Sequence, residues 1–284
     1  MLRTEEIFLY SEKNKSYEVT MKTFFSLLAF SLTTTAVAGC LTVNYPAGNY
    51  PLCTGDRVYL INDGGDVRIG TAAAIYQSGK VKVKYSYSGT SYELFRQVSD
   101  VYPSVECLGD LCAGDSVQLI NDGGDKRDGS ILEGFANGLF RVEYTYSGTY
   151  YNLYRSGRDL LKHQSRSGKF SIGNSVYLIN DGGDARVGTI LMLTDREAKV
   201  SYTYSGTSYS LYRSLDDISL ETQCVHAVCR GYKVLIMNDG GDYREAIVKR
   251  AFENGMLQVS YRYSGTEYTL WRRTSDCSPV DEEI

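Results

Sequence analysis

The chain has only two histidines, His163 and His226, and both lie outside its recurring motifs. It also lacks a nucleophile elbow, an HExxH zinc motif and a phosphate-binding P-loop, which excludes the commonest catalytic arrangements. The net charge of −4 argues against a surface that binds nucleic-acid phosphates. We therefore expect a protein that is not an enzyme, needs no cofactor and no metal, and binds no nucleic acid.

What the chain does contain is a fourfold repeat. The motif Asn-Asp-Gly-Gly-Asp-x-Arg occurs at residues 62–68, 121–127, 180–186 and 238–244, with starts 59, 59 and 58 residues apart. Each copy is followed by Tyr-x-Tyr-Ser-Gly-Thr-x-Tyr-x-Leu-aromatic-Arg, at residues 85–96, 144–155, 202–213 and 261–272. A period of this length indicates one small domain copied four times.

The segment before the repeats has the features of a bacterial export signal. Residues 21–39 carry Lys22, a short apolar stretch and a small-residue end. Together with Cys40, this end resembles the lipobox of bacterial lipoproteins, which implies membrane attachment through a lipid anchor at Cys40. Residues 36–38 also fit ordinary signal-peptidase cleavage, so plain secretion stays open. Residues 1–20 are expected to reflect a start site assigned too early, because Met21 begins a complete signal.

The predicted location follows from this signal. We expect an exported protein that is an outer-membrane or cell-surface lipoprotein, or otherwise a periplasmic or secreted one.

Within each repeat, apolar residues alternate with a period of two, which is typical of strands. In the first copy, strands are predicted at residues 57–61, 67–76, 81–87 and 92–96, with turns at 62–65, 77–79 and 88–89. Several short strands separated by Asn, Gly and Ser turns, without helical periodicity, predict a small antiparallel barrel.

The opening Gly55-Asp56-x-Val58, the pair Gly70-Thr71 and the alternating strand at residues 80–87 resemble the Tudor/agenet group of SH3-like barrels. The resemblance covers residues 53–277. It implies an all-β chain of four tandem small SH3-like (Tudor-like) antiparallel barrels, and a four-bladed β-propeller-like arrangement is the alternative. The expected divisions are a linker at 40–52, repeats at 53–107, 108–166, 167–224 and 225–277, and a tail at 278–284.

Besides Cys40, six cysteines lie near the repeat boundaries. The resemblance places the two ends of a barrel close together, and it thereby implies the disulfides Cys53–Cys107, Cys112–Cys224 and Cys229–Cys277, with the second bond joining repeats two and three. The alternative pairs Cys107–Cys112 and Cys224–Cys229 locally and leaves Cys53–Cys277 to close a ring.

The resemblance also implies that the turn after strand one and the turn after strand three lie at the same end of each barrel. The two motifs would then form a platform presented four times, in which tyrosine rings stack on sugar faces or peptide side chains while Asn, Asp and Arg form hydrogen bonds. The candidate ligand-binding residues are Asn62, Asp63, Asp66, Arg68, Tyr87, Tyr92, Asn121, Asp122, Asp125, Arg127, Tyr146, Tyr151, Asn180, Asp181, Asp184, Arg186, Tyr204, Tyr209, Asn238, Asp239, Asp242, Arg244, Tyr263 and Tyr268.

Two functions are weighed for this platform. The first is a non-catalytic, multivalent binding protein of the bacterial cell envelope, whose partner is cell-wall glycan or an envelope protein. The alternative is a structural or adhesive spacer, in which Asp66, Arg68 and Arg96 form an internal ion-pair network. Strand alternation places at least one of Tyr85 and Tyr87 in the core. Tyr92 and the aromatic residues at Phe95, Tyr154, Tyr212 and Trp271 are expected to be exposed.

Overall fold

The computed structural model describes residues 36–37 and 39–280. The segment 1–20, nearly all of the expected export signal, and residues 281–284 of the tail lie outside the described residues. The described chain is all-β, and its strands pair in the antiparallel sense. This confirms the predicted fold class. No helix in the described part of the chain is long and apolar enough to cross a membrane.

The four repeats share one plan, and we call each of them a unit. A unit consists of an opening hairpin, four longer strands, one turn of 3-10 helix and a return strand. Unit 1 contains β2 (Cys40–Tyr45), β3 (Gly48–Cys53), β4 (Arg57–Ile61), β5 (Val67–Tyr76), β6 (Lys80–Tyr87), β7 (Thr90–Gln97), the turn Val98–Asp100 and β8 (Tyr102–Val105); the short β1 (Ala36–Val37) pairs with β5.

The other units repeat this order. Unit 2 contains β9 (Cys107–Leu108), β10 (Leu111–Cys112), β11 (Ser116–Ile120), β12 (Lys126–Phe135), β13 (Leu139–Tyr146), β14 (Thr149–Ser156), the turn Gly157–Asp159 and β15 (Leu161–Lys162). Unit 3 contains β16 (Arg166–Ser167), β17 (Phe170–Ser171), β18 (Ser175–Ile179), β19 (Ala185–Leu193), β20 (Glu197–Tyr204), β21 (Thr207–Ser214), the turn Leu215–Asp217 and β22 (Ser219–Thr222). Unit 4 contains β23 (Cys224–Val225), β24 (Val228–Cys229), β25 (Lys233–Met237), β26 (Tyr243–Phe252), β27 (Met256–Tyr263), β28 (Thr266–Arg273), the turn Thr274–Asp276 and β29 (Cys277–Pro279).

Each unit folds back on itself. In unit 1, β4, β5, β6 and β7 pair in succession, and the return strand β8 pairs with β4. Alternate residues of these strands point inward, and Val58, Leu60, Val81 and Val83 are completely buried. Every unit has such an apolar core of its own. The return strand and the apolar core thus stay within one unit, as expected of a small barrel, and the propeller-like alternative stays a prediction.

The opening hairpins were not foreseen. Residues 40–52, expected to be a linker, form most of the hairpin β2–β3, and Leu52 from this hairpin is fully buried in the core of unit 1. Leu111 and Phe170 make the same contribution in units 2 and 3. The hairpin therefore covers one end of the barrel and belongs to the fold.

The disulfides cross these hairpins. Bonds join Cys40 to Cys53, Cys107 to Cys112, and Cys224 to Cys229. The predicted bonds Cys53–Cys107, Cys112–Cys224 and Cys229–Cys277 are therefore wrong; the alternative is right for its two local bonds and wrong for Cys53–Cys277. The physical reason is the register of the hairpins, which places the two cysteines of each pair directly opposite one another.

Two further consequences concern individual cysteines. A sulfur in a disulfide cannot also carry a lipid, so the Cys40–Cys53 bond and lipidation at Cys40 exclude each other. Cys277 is a free, buried thiol. It takes the core position that Val101, Leu160 and Ile218 occupy in the other units, where it packs as a small apolar side chain, and burial raises the pKa of its thiol.

The units are joined in two pairs. The return strand β8 of unit 1 also pairs with β12 of unit 2, through Ser104 opposite Phe135 and Val105 opposite Gly134. The return strand β22 of unit 3 pairs with β26 of unit 4 in the same way. Between units 2 and 3, the backbone contact is a single hydrogen bond from Gln164 N to Leu193 O, of 2.7 Å. The expectation that units 2 and 3 form a covalent pair is therefore wrong.

Aromatic contacts follow the same pairing. At the contact between units 1 and 2, the ring of Tyr59 lies 5.5 Å from the rings of both Phe135 and Tyr154. At the contact between units 3 and 4, Tyr177 and Phe252 pack against Trp271 in the same manner, with ring centroids 5.1 and 5.8 Å away. Such pairs stabilise by about 0.5–1.5 kcal/mol beyond the area that they bury. At the middle junction the corresponding residues are Gln118, Thr194 and Tyr212.

A polar network holds the middle junction instead. The carboxylate of Asp128 in unit 2 accepts hydrogen bonds from Lys199 Nζ (2.5 Å) and Tyr212 Oη (2.8 Å) of unit 3. His163 Nε2 lies 3.3 Å from the other oxygen of Asp128. Burial alone would raise the pKa of Asp128, but the contacts with its three partners outweigh burial and lower this pKa to about 2. The middle junction therefore rests mainly on charged and polar side chains. The outer junctions combine ion pairs, such as Arg57–Glu133 and Arg250–Glu221, with strand pairing and aromatic contacts.

Candidate functional site

The two recurring motifs meet at one end of every unit. The Asn-Asp-Gly-Gly-Asp motif forms the turn between the first two long strands, for example β4 and β5, and we call it the Asn-Asp turn. The Tyr-Ser-Gly-Thr motif forms the tip of the hairpin between the next two strands, for example β6 and β7, and we call it the tyrosine hairpin. In this hairpin Ser88 and Gly89 have φ values of +48° and +79°, which is typical of a tight two-residue turn.

The asparagine of the Asn-Asp turn has a structural role. Asn62 Oδ1 accepts a hydrogen bond of 2.8 Å from Asp66 N, and the backbone of Asn62 pairs with Asp66 O and Gly65 N. Asn121, Asn180 and Asn238 make the same side-chain bond. Because its side-chain oxygen is occupied within the turn, this asparagine shapes the site and is a poor candidate for direct ligand contact.

The first arginine connects the turn to the tyrosine hairpin. Arg68 Nη2 donates a hydrogen bond of 2.8 Å to Asp66, and its guanidinium lies over the ring of Tyr87, 4.2 Å from the centroid. The equivalent distances to Tyr146, Tyr204 and Tyr263 are 4.6, 4.5 and 5.0 Å. The Nε atom of this arginine is buried without a hydrogen-bond partner among the described residues in all four units. The contact of the guanidinium with the ring joins the Asn-Asp turn to the tyrosine hairpin in every unit.

The second arginine, at the end of the tyrosine hairpin, binds back to the turn. Arg96 Nη2 donates to Asp63 Oδ1 at 2.5 Å, and its Nε donates to the carbonyl oxygen of Ile61 at 3.2 Å. Arg155, Arg213 and Arg272 repeat the pair with Asp122, Asp181 and Asp239. The arginine is largely covered, whereas the side chain of Asp63 is 85% exposed. The aspartate thus keeps an oxygen directed to solvent while the arginine fixes its position.

The tyrosines form a layered, exposed surface. The rings of Tyr85 and Tyr92 stack at 5.3 Å with an angle of 16° between their planes, and the other units repeat this stack. Tyr85 is half-buried at the edge of the core, while Tyr87 and Tyr92 are 53% and 42% exposed. The outer face of each stack is therefore open to solvent. Of the two tyrosines on the core side of strand β6, Tyr85 borders the core, whereas Tyr87 lies beyond the end of the core.

The aromatic residue before the second arginine does not belong to this surface. Phe95 of unit 1 is 53% exposed, as expected. Tyr154, Tyr212 and Trp271 are half-buried because each of them packs against the preceding unit. The expectation that these three are exposed is wrong, and unit 1 differs because no unit precedes it among the described residues.

Comparison of the four units shows that some exposed positions carry the same residue in every unit, whereas others differ between units. The positions of Tyr87, Ser88, Thr90 and Tyr92 are identical in all four copies, although all four are exposed. The intervening position 91 is Ser, Tyr, Ser and Glu in the successive units. A turn alone does not require the two tyrosines, since many residues fit a strand end. The tips of the tyrosine hairpins are therefore the strongest candidate for a repeated binding surface.

Comparisons with known proteins add little to this geometry. No protein-family model matches the chain, and no curated protein matches it. One similar solved structure is that of the four MBT repeats of Drosophila melanogaster Sfmbt in complex with the peptide RHR (me)K VLR. It is 9% identical over 81% of this chain and 88% of that chain, with a TM-score of 0.20. A TM-score of 0.20 is too low for this likeness to support a fold or a ligand.

Proposed function

We propose that the protein is a non-catalytic, multivalent binding protein of the bacterial cell envelope, and that each tyrosine hairpin contacts cell-wall glycan. The observation that carries this proposal is the repeated exposed tyrosine pair. Tyr92 and its equivalents, Tyr151, Tyr209 and Tyr268, are 42–45% exposed and take no part in the contacts between units. Each of these tyrosines stacks on one tyrosine of its own unit, and four copies of a stack whose outer face is open to solvent are best explained by a ligand.

The chemistry of the surface suits a sugar. A tyrosine ring offers an apolar face for the C–H face of a sugar ring, and its hydroxyl group forms hydrogen bonds. Asp63 and Asp66 lie beside these rings and are held by ion pairs with arginines. Their remaining oxygens accept hydrogen bonds from hydroxyl groups. Because the ion pairs balance the charges, an uncharged, hydroxyl-rich ligand fits better than a strongly charged one.

Four weak sites explain the repetition. A single exposed tyrosine platform binds a sugar weakly, but linked sites raise the effective concentration of each following contact. A polymeric ligand such as cell-wall glycan can occupy several units at once. The fourfold arrangement therefore increases the apparent affinity for cell-wall glycan but not for a small soluble sugar.

The cysteines support export. Three disulfides in the described residues are typical of an oxidising compartment such as the periplasm or the cell exterior. We infer a secreted or periplasmic form, because the bond to Cys53 occupies the sulfur of Cys40 that a lipid anchor would need. Mass spectrometry of the mature N-terminus tests this inference: a diacylated Cys40 would contradict it.

The decisive experiment compares two variants in binding to insoluble peptidoglycan and to a glycan array. One variant replaces Tyr92, Tyr151, Tyr209 and Tyr268 with Ala. The control replaces Tyr232 with Ala; this residue is also exposed, at 53%, but lies outside both recurring motifs. We expect the first variant to lose retention and the control to keep it, with both folded by circular dichroism.

The competing function is a spacer that supplies only length and stiffness. It is favoured by the internal use of both arginines, which already bind the aspartates of their own unit. If the protein is a spacer, the wild type should bind no glycan. The variant with Ala at Tyr92, Tyr151, Tyr209 and Tyr268 should then keep the full cell-surface function of the wild type. If the wild-type protein instead bound only an envelope protein, the tyrosine hairpins would keep their role and the glycan assignment would be wrong.

A further inference from the structure

The junction between units 2 and 3 contains an open cleft of ≈ 610 Å³. We call it the junction cleft. Its wall from unit 2 includes Glu143, Tyr146 and Tyr150, and its wall from unit 3 includes Lys199, Ser210 and Tyr212. The volume lies in the range of ligand pockets, about 300–1,000 Å³.

The cleft is a particular feature of unit 2. At the two positions after the Asn-Asp turn that face the next unit, unit 1 has Val67 and Ile69, and unit 3 has Ala185 and Val187. Unit 2 has the charged pair Lys126 and Asp128, which makes this junction polar. Strand pairing and aromatic packing join the outer pairs of units, while the middle pair is held by long polar side chains that leave the cleft between them.

Tyr150 gives the cleft an aromatic platform. It is 69% exposed, more than any other large apolar side chain among the described residues. The equivalent residues Ser91, Ser208 and Glu267 offer no ring at this position. Tyr150 stands on the outer face of the hairpin, so its ring is separate from the Tyr144–Tyr151 stack of the same unit.

The cations that line the cleft are already paired with carboxylates of the protein. Lys199 and Lys126 bind Asp128 and Glu197, and Arg127 binds Asp125. The ring of Tyr212 lies between the two lysines, with the ammonium groups 5.8 and 5.4 Å from its centroid. A cleft whose cations are paired has little excess charge to attract an anionic or cationic ligand. Its free recognition groups are hydroxyls, aromatic rings and the carboxylate of Glu143.

We propose that the junction cleft is a fifth carbohydrate subsite, which binds an uncharged segment of an oligosaccharide between the ring of Tyr150 and the wall of unit 3. Sugar hydroxyls would bond to Ser210 and Glu143, and a sugar face would stack on Tyr150. This inference rests on the proposed function. It adds a site that binds a run of sugars, whereas each tyrosine hairpin contacts the polymer at one ring.

The test measures the binding of chitohexaose, a neutral oligosaccharide, and of free N-acetylglucosamine by calorimetry. The Tyr150→Ala variant is compared with the wild type and with Tyr232→Ala as the control. We expect Tyr150→Ala to weaken chitohexaose binding by about 5- to 10-fold, as the loss of one stacked ring predicts. N-acetylglucosamine should bind much more weakly and depend less on Tyr150. Amide chemical-shift changes on adding chitohexaose should include Ser210.

The outcomes separate the two levels of inference. Unchanged chitohexaose binding by Tyr150→Ala, together with loss of binding in the fourfold hairpin variant, overturns the junction subsite and leaves the proposed function intact. No binding of chitohexaose or peptidoglycan by the wild type overturns both. Tighter binding of polygalacturonate or of a basic peptide, with shifts at Ser210, overturns the uncharged class of ligand.

Discussion

Tyr154 and Phe95 occupy the same position of the repeat but have opposite surroundings, so truncating each to Ala measures the contact between units 1 and 2. Tyr154 packs on Tyr59 of unit 1 and on Phe135 of its own unit, whereas Phe95 is 53% exposed and its ring lies 6.0 Å from that of Tyr76. The extra area that Tyr154 buries is roughly 50 Å², worth about 1.2 kcal/mol. The additional aromatic contact adds about 1 kcal/mol. Tyr154→Ala should therefore destabilise by about 2 kcal/mol more than Phe95→Ala.

Calorimetric unfolding of both variants measures the size of the destabilisation. Amide hydrogen exchange shows which strands are destabilised. In Tyr154→Ala the amides of β8 that pair with β12 should exchange faster, because the ring next to this strand pairing is lost. In Phe95→Ala they should keep their wild-type rates. Equal destabilisation by the two substitutions, or unchanged exchange in β8, would refute the idea that aromatic packing joins the units in pairs.

Two further predictions concern the middle junction and unit 3. Asp128→Asn should destabilise by about 1–2 kcal/mol at pH 6. Because the pKa of Asp128 is lowered to about 2, the extra stability of the wild type over the variant is full above pH 4 and shrinks as the pH falls towards 2. Urea unfolding from pH 6 to pH 2.5 measures this difference in the free energy of unfolding. A difference that stays constant over this range would contradict the role of the Asp128 carboxylate. The double substitution Arg166→Cys and Ser171→Cys should form a fourth hairpin disulfide, because these residues face each other as the bonded cysteines do in the other units. Thiol titration should show one free thiol as in the wild type, and the stability should rise by about 2 kcal/mol.

The local structure of a unit could be predicted from its residues, because the information lies in neighbouring positions. Val81 and Val83 alternate with Lys82 and Lys84, and this alternation correctly predicts strand β6. The glycines of the Asn-Asp turn and of the tyrosine hairpin mark the two turns for the same local reason. The fold class follows from these elements.

The disulfides and the pairing of units could not be predicted in this way. The bond between Cys40 and Cys53 depends on a hairpin that the sequence does not distinguish from a linker. The contact of Tyr59 with Tyr154 joins residues 95 positions apart, so no periodic pattern reports it. One signal of the different middle junction was present in the sequence. Unit 2 has Lys126 and Asp128 at positions where units 1 and 3 have apolar residues.

The sequence predicted that the residues of the two motifs lie together. It did not predict which of these residues bind within the protein and which face solvent. The motif residues do lie together, yet Asn62, Arg68 and Arg96 bind within the protein and hold the tyrosines and aspartates in place. Spacing in a sequence shows which residues recur. It does not show which of them face inward, because that depends on the path of the hairpin beyond the barrel core.

The alternation of junctions has a mechanical consequence. If the ends of the chain are pulled apart, the outer junctions resist through strand pairs that must shear together with their aromatic contacts. The middle junction has one backbone hydrogen bond and a few ion pairs, which break one after another. We expect it to open first and at low force. The chain would then lengthen between two intact pairs of units.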